Sequence, residues 1–154
     1  MNATELDALK EHERFMRRCI ELAKVAHAAG NAPVGAIVVV DGQIAGEGVE
    51  VLPGGNNITG HAEVIACQSA VDRTGSRLLQ GATIYTTTEP CFMCSYVVRQ
   101  CAVALVVYGV ETPGIGGITS SHPILTDAKI TRWTSTPHVL GGVLLGECRQ
   151  LKSI

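Results

Sequence analysis

Residues 88–94 read Thr88-Glu89-Pro90-Cys91-Phe92-Met93-Cys94, and earlier the chain reads Gly60-His61-Ala62-Glu63. Two cysteines three residues apart share one face of a helical turn, where a single tetrahedral ion can bridge them. His61 adds an imidazole. A three-ligand set leaves the fourth position of a zinc ion open for water, which separates a catalytic site from a closed structural one, and the ion brings that water's pKa towards 7. Glu63, two residues from His61, can reach such a water without coordinating the metal, so it is the candidate proton shuttle.

Working outward, each pattern opens a helix. Residues 61–71 and 91–100 read as helices, and residues 82–87 and 103–108 as strands, an alternation that implies a parallel portion of sheet. The positive ends of the two helices would meet near the metal and favour thiolates and hydroxide. Upstream, Leu9, Met16, Ile20 and Ala23, with Phe15, Cys19 and Leu22 beside them, give residues 6–29 the period of an amphipathic helix ending near Gly30. The β-branched run 35–40, the turn signal Asp41-Gly42 and the return stretch 43–49 predict an antiparallel hairpin. Residues 50–60 are rich in Gly, Asn and Pro, with Asn56 and Asn57 suited to a turn, and predict a loop beside the site. Residues 112–123 predict a Gly- and Ser-rich loop, 136–140 a last short strand and 143–151 a last helix.

The paired patterns are the H-x-E and P-C-x-x-C signature of zinc deaminases that act on nucleobases. The chain resembles the cytidine-deaminase-like superfamily, and within it the branch of tRNA adenosine deaminases, guanine deaminases and fungal cytosine deaminase. Ala32-Pro33-Val34-Gly35-Ala36, Gly46-Glu47-Gly48 and Thr88-Glu89-Pro90-Cys91 fall in that branch's order, over roughly residues 10–152. The resemblance implies an α/β fold, a three-layer α/β/α sandwich around a mixed five-stranded sheet. It also implies a homodimer or larger assembly, one zinc ion per chain, and hydrolytic attack on an amino-bearing carbon with loss of ammonia. His61, Cys91 and Cys94 match the metal ligands, and Glu63 matches the residue that protonates the ring nitrogen and then the leaving amine.

Each motif also has a plainer reading. A zinc ribbon needs a second C-x-x-C, which the chain lacks, and a thioredoxin-like motif belongs after the first strand of its fold. Cys19, Cys67, Cys101 and Cys148 lie among apolar neighbours and read as packing thiols. His12, His27, His122 and His138 have no partner at metal-binding spacing, although His122 could line a pocket. Gly114, Gly116 and Gly117 lack the strand and helix of a dinucleotide fingerprint.

At 154 residues the expectation is a single zinc-dependent deaminase domain spanning residues 1–154. No apolar run reaches the length of a membrane span, the start has no signal-peptide pattern, and reduced thiols suit the cytoplasm. The net charge of −2 offers no overall attraction to phosphate, so nucleic acid is not expected as a partner.

One departure bears on the substrate. Many relatives end the hairpin in Gly-x-Gly-x-Asn, whose Asn contacts the base, whereas here Gly46-Glu47-Gly48-Val49-Glu50 places Glu50 there. An ionised carboxylate only accepts hydrogen bonds, so Glu50 asks for a ligand edge with N–H donors, unless it turns to solvent and leaves Val34, Phe92 and His122 to shape the pocket. The Asp-Pro pair that precedes the zinc histidine in relatives is also missing, replaced by Asn57-Ile58-Thr59-Gly60. The leading expectation is deamination of a small free base or base-like heterocycle of guanine, amino-pyrimidine or aminotriazine type, with Glu50, Val34, Ala62, Phe92 and His122 as the pocket. The alternative is tRNA adenosine-to-inosine deamination, favoured by motif order and by Lys10, Arg14, Arg17, Arg18 and Lys24 in the first helix. A third reading, a non-catalytic zinc-stabilised binding protein, leaves Glu63 without a use.

Overall fold

Alternation along the first strand sets the layers. In β1 (Gly35–Val40), Ala36 and Val38 join one buried cluster while Ile37 and Val39 join another on the opposite face. β1 turns into β2 (Gln43–Val49) through Asp41 and Gly42, whose φ angles of 50° and 76° are those of a type I′ hairpin. β1 also pairs antiparallel with β3 (Thr83–Thr88), which pairs parallel with β4 (Leu105–Val110), and β4 pairs parallel with β5 (His138–Leu140). The sheet order is β2-β1-β3-β4-β5. This computed structural model describes residues 1–51 and 57–154.

Helices cover both faces. α1 (Ala3–Ala28) and α4 (Leu145–Gln150) lie on the Ile37 side with Phe15, Met16, Cys148 and Val107. α2 (Ala62–Thr74) and α3 (Phe92–Gln100) lie on the Val38 side with Ala66, Val98 and Val106. The result is the expected three-layer α/β/α sandwich around a mixed five-stranded sheet. α2 approaches β2 closely because small residues face each other: a Cβ at Gly46 would strike the backbone at Ala66 and Ala70, and one at Gly48 the backbone at Ala62 and Ala66. A bidentate pair, Arg18 Nε to Glu47 Oε2 at 2.6 Å and Nη2 to Oε1 at 2.9 Å, joins α1 to the outer strand.

Boundaries differ from the sequence reading for identifiable reasons. α1 starts earlier because Asn2 and Glu5 form a capping box. β4 starts later because Ala102, at φ 57°, ends α3 and Val103 still donates to Val98 O. β5 begins after Pro137, which has no N–H for the ladder. The last helix is shortened by Gly142 and Leu144 at positive φ, and it passes into a 3₁₀ turn at Leu151–Ser153. Among the described residues no helix is long and apolar enough to cross a membrane.

Candidate metal centre

Two helix starts converge. His61 is the N-cap of α2 and Cys91 the N-cap of α3, both with extended backbone, and Cys94 lies buried in the first turn of α3. His61 Nδ1 stands 3.5 Å from Cys91 Sγ and 3.4 Å from Cys94 Sγ. Zinc bonds of about 2.0 Å to nitrogen and 2.3 Å to sulfur at a tetrahedral angle span roughly 3.5 Å, so the donors already stand at the edges of such a polyhedron.

The two thiols are pushed apart. Cys91 is held down to about 5 by the neighbouring Cys94 and by His61, with burial opposing. Cys94 is pushed up by the adjoining Cys91, by burial and by the Glu63 carboxylate. Its thiol donates to Glu63 Oε2. Glu63 is 3% exposed and burial pushes its carboxyl up to about 7. Its Oε1 accepts from the Thr86 hydroxyl at 2.8 Å, and its Oε2 lies 3.3 Å from Cys94 Sγ.

The other expected residues separate. Glu50 is buried, and its Oε1 accepts the Ala62 N–H at 2.9 Å, so it caps α2 beside His61 instead of turning to solvent. Donor atoms of Glu50, His61 and Glu63 lie within 4.8 Å of one another. Phe92 is half-buried and meets the exposed His122 edge-on, ring centroids 6.2 Å apart. The Val34 carbonyl accepts the Glu50 N–H at 3.1 Å, and the residue packs against the core and lines a cavity with Thr88, Thr112 and Lys152. In the expected loop 50–60, residues 52–56 lie outside those described; on either side of them, Val51 donates to Gly60 O at 2.9 Å. The four remaining cysteines are buried free thiols, as expected.

Two residues near the metal centre carried no role in the sequence reading. Thr86, the partner of Glu63, is signalled only by strand alternation, which turns it to the same side as Ile84. Glu89 stands in the quoted motif, yet its partners lie between Thr112 and Thr119, too distant in sequence for any local pattern to reveal.

Residues 9–110 match the family model for the cytidine and deoxycytidylate deaminase zinc-binding region. The chain is 35% identical over 139 residues to a tRNA-specific adenosine deaminase of Haemophilus influenzae, covering 90% of this chain and 79% of the relative. A solved structure from work on A-to-I editing by tRNA:A34 deaminases superposes with a TM-score of 0.77 at 26% identity, over 90% of this chain and 98% of its own. A guanine deaminase structure from Bacillus subtilis is 37% identical with a TM-score of 0.62, but over 65% of this chain and 64% of its own.

These relatives correct two expectations. The curated Haemophilus influenzae relative and the tRNA:A34 deaminase structure each cover 90% of this chain, and they overturn the reading of a free heterocyclic base of guanine, amino-pyrimidine or aminotriazine type and the exclusion of nucleic acid. Net charge is a sum over the whole surface, whereas phosphate contacts are local. Arg18, Glu21 and Glu47 spend their charges on one another and still enter the total of −2. Glu50 has a structural use as a cap on α2, which by itself selects no substrate. With this sheet, these ligands and this match, the chain belongs to the cytidine and deoxycytidylate deaminase zinc-binding family, with a donor set for one zinc ion per chain.

Proposed function

We propose that residues 1–154 form a single zinc-dependent deaminase domain that converts adenosine to inosine in tRNA. The observation that carries this reading is the likeness to tRNA-specific adenosine deaminases across 90% of the chain. In the net reaction a C–O bond forms at the amino-bearing ring carbon, the C–N bond breaks, and water is consumed as ammonia leaves.

His61, Cys91 and Cys94 would hold the zinc, which when bound supplies a Lewis acid that lets water act as a nucleophile near neutral pH. Glu63 handles protons. Its Oε1 stays on Thr86, while Oε2, on the Cys94 side, takes one proton from the attacking water and passes it to the ring nitrogen, then takes the second from the new hydroxyl and passes it to the leaving amine. Burial pushes this carboxyl up, which favours the protonated form it needs between the two transfers. Adenine suits Glu50, because its amino group presents N–H donors to a carboxylate that only accepts. Phe92 and His122 offer an aromatic edge against which a base taken out of its stack can pack. A cytoplasmic homodimer belongs to the same proposal, and light scattering at twice the 16.2 kDa chain mass tests the dimer.

The deciding experiment incubates the zinc-loaded protein with an anticodon stem-loop RNA carrying a wobble adenosine and, separately, with guanine, cytosine and free adenosine. Inosine in the RNA is the expected product. Ammonia from a free base, with the RNA untouched, overturns the reading.

A further inference from the structure

Glu89 is 1% exposed, and among the described residues its carboxylate is bonded by donors alone. Oε1 accepts the Thr112 N–H at 2.9 Å and the Thr119 hydroxyl, and Oε2 accepts the N–H groups of Ile118 and Thr119, each at 2.8 Å. Only an ionised carboxylate satisfies four donors with no donor of its own. The main chain adds two more ties: Glu89 N donates to Val110 O at 2.8 Å, and the Thr112 hydroxyl donates to Glu89 O at 3.2 Å.

The segment so gathered, residues 112–119, runs against the metal centre. Gly116 forms a β-bridge with Cys91, and Gly117 N donates to Pro90 O at 2.9 Å. Both glycines are held at close quarters, since a Cβ at Gly116 would collide with the Glu89 carboxylate and one at Gly117 with the Ser95 hydroxyl. Cys91, as an N-cap, has non-helical backbone and lacks the full bonding of a helix interior. Its neighbour in space is the segment that Glu89 ties down.

We infer that Glu89 is a positioning residue for the metal centre: by seating residues 112–119 it braces the backbone of Cys91 and so governs how long zinc is held. Glu89 lies outside the donor set of His61, Cys91 and Cys94. Its charge is spent entirely on backbone and hydroxyl donors of one segment, and that segment pairs with one ligand. The inference depends on Cys91 being a zinc ligand, which the metal content of Cys91→Ala tests separately, and it does not depend on which base is deaminated.

The test measures zinc release from the loaded protein to a chromogenic chelator, with hydrogen exchange of residues 112–119 followed by mass spectrometry. Glu89→Gln keeps shape but turns an NH₂ towards donors. Loss of such supporting contacts weakens metal binding about 10- to 100-fold, so release should quicken by at least about tenfold, with faster exchange at 116–119. Thr119→Val removes one donor only and should quicken release about two- to threefold, the smaller effect expected of a single hydrogen bond. Leu151→Ala, in the cluster on the far side of the sheet, serves as the control for general loss of stability and should leave release unchanged below its melting temperature. Release by Glu89→Gln within about twofold of wild type overturns the inference, as does equal acceleration by Leu151→Ala. If Glu89→Gln fails to fold, Thr119→Val decides: wild-type release and exchange in that variant overturn the inference equally.

Discussion

Thr86 Oγ1 donates to Glu63 Oε1 at 2.8 Å, and this one bond leaves the second oxygen of the carboxylate 3.3 Å from Cys94 Sγ. The strand therefore aims the proton carrier of the helix. Glu63→Ala should keep its zinc and lose about 10²- to 10⁴-fold in kcat, the usual worth of a positioned acid–base group. Thr86→Val should lose about tenfold or more, since a hydrogen bond to a charged group is worth about 1.5–3 kcal/mol. Single-turnover rates with stem-loop RNA, beside metal analysis, check both; full activity in Glu63→Ala removes it from the mechanism.

Zinc should be present at about one ion per chain, because three protein ligands make one open tetrahedral site. His61→Ala, Cys91→Ala and Cys94→Ala should each purify with little metal, and chelation of the wild type should abolish activity that added zinc restores. Full zinc content in any of the three takes that residue out of the ligand set.

Gly48→Ala should destabilise the protein by about 1–3 kcal/mol, the usual consequence of overpacking. The added methyl strikes the backbone of α2 at Ala62, next to a metal ligand, so zinc retention should fall as well. Chemical denaturation and metal analysis of the same sample report the two effects, and an unperturbed variant would show that α2 has room to shift.

Glu50 has two uses that a conservative change can separate. Glu50→Gln keeps an oxygen for the Ala62 N–H and should alter stability by less than about 0.5 kcal/mol, since a capped helix start is preserved. Under the proposed function it also exchanges a pure acceptor for an amide beside the substrate amino group, and should lower kcat/KM with stem-loop RNA about tenfold. Equal kcat/KM with intact stability would leave Glu50 as a cap alone.

The Arg18 guanidinium holds the Glu47 carboxyl below its ordinary value of 4.5, with burial opposing. A depressed carboxyl contributes stability above its unfolded pKa, and that contribution disappears as pH falls through the folded value. Both side chains are over a third exposed, at 41% and 35%, so solvent screening limits the pair to about 0.5 kcal/mol. Glu47→Gln should therefore be slightly less stable than wild type at pH 7, and the gap should be smaller at about pH 3. Urea midpoints at the two pH values check this.

The sheet was legible because its strands carry their period openly: Ala36 and Val38 against Ile37 and Val39, then the Asp41-Gly42 turn. The metal donors were legible because cysteine spacing on a helical turn and a histidine with a nearby carboxylate form local patterns. Glu89 was not, since its donors lie at Thr112 and at Ile118 and Thr119, and only the folded chain brings them to it. The partner was not legible in a bulk property: a net charge of −2 sums the whole surface and carries no record of where Lys and Arg gather.

The N-cap placement of His61 and Cys91 also bears on how such a protein can change over time. Both ligands are anchored where helices leave a fully packed sheet, whereas residues 111–137, which carry His122 at the rim, form no helix and join none of the five strands. Exposed positions of that stretch, His122 among them, can thus change while the two helix starts stay in place. Glu89, Arg99 and the buried Leu125 tie the same stretch to α3 and the core, and so mark where that freedom ends.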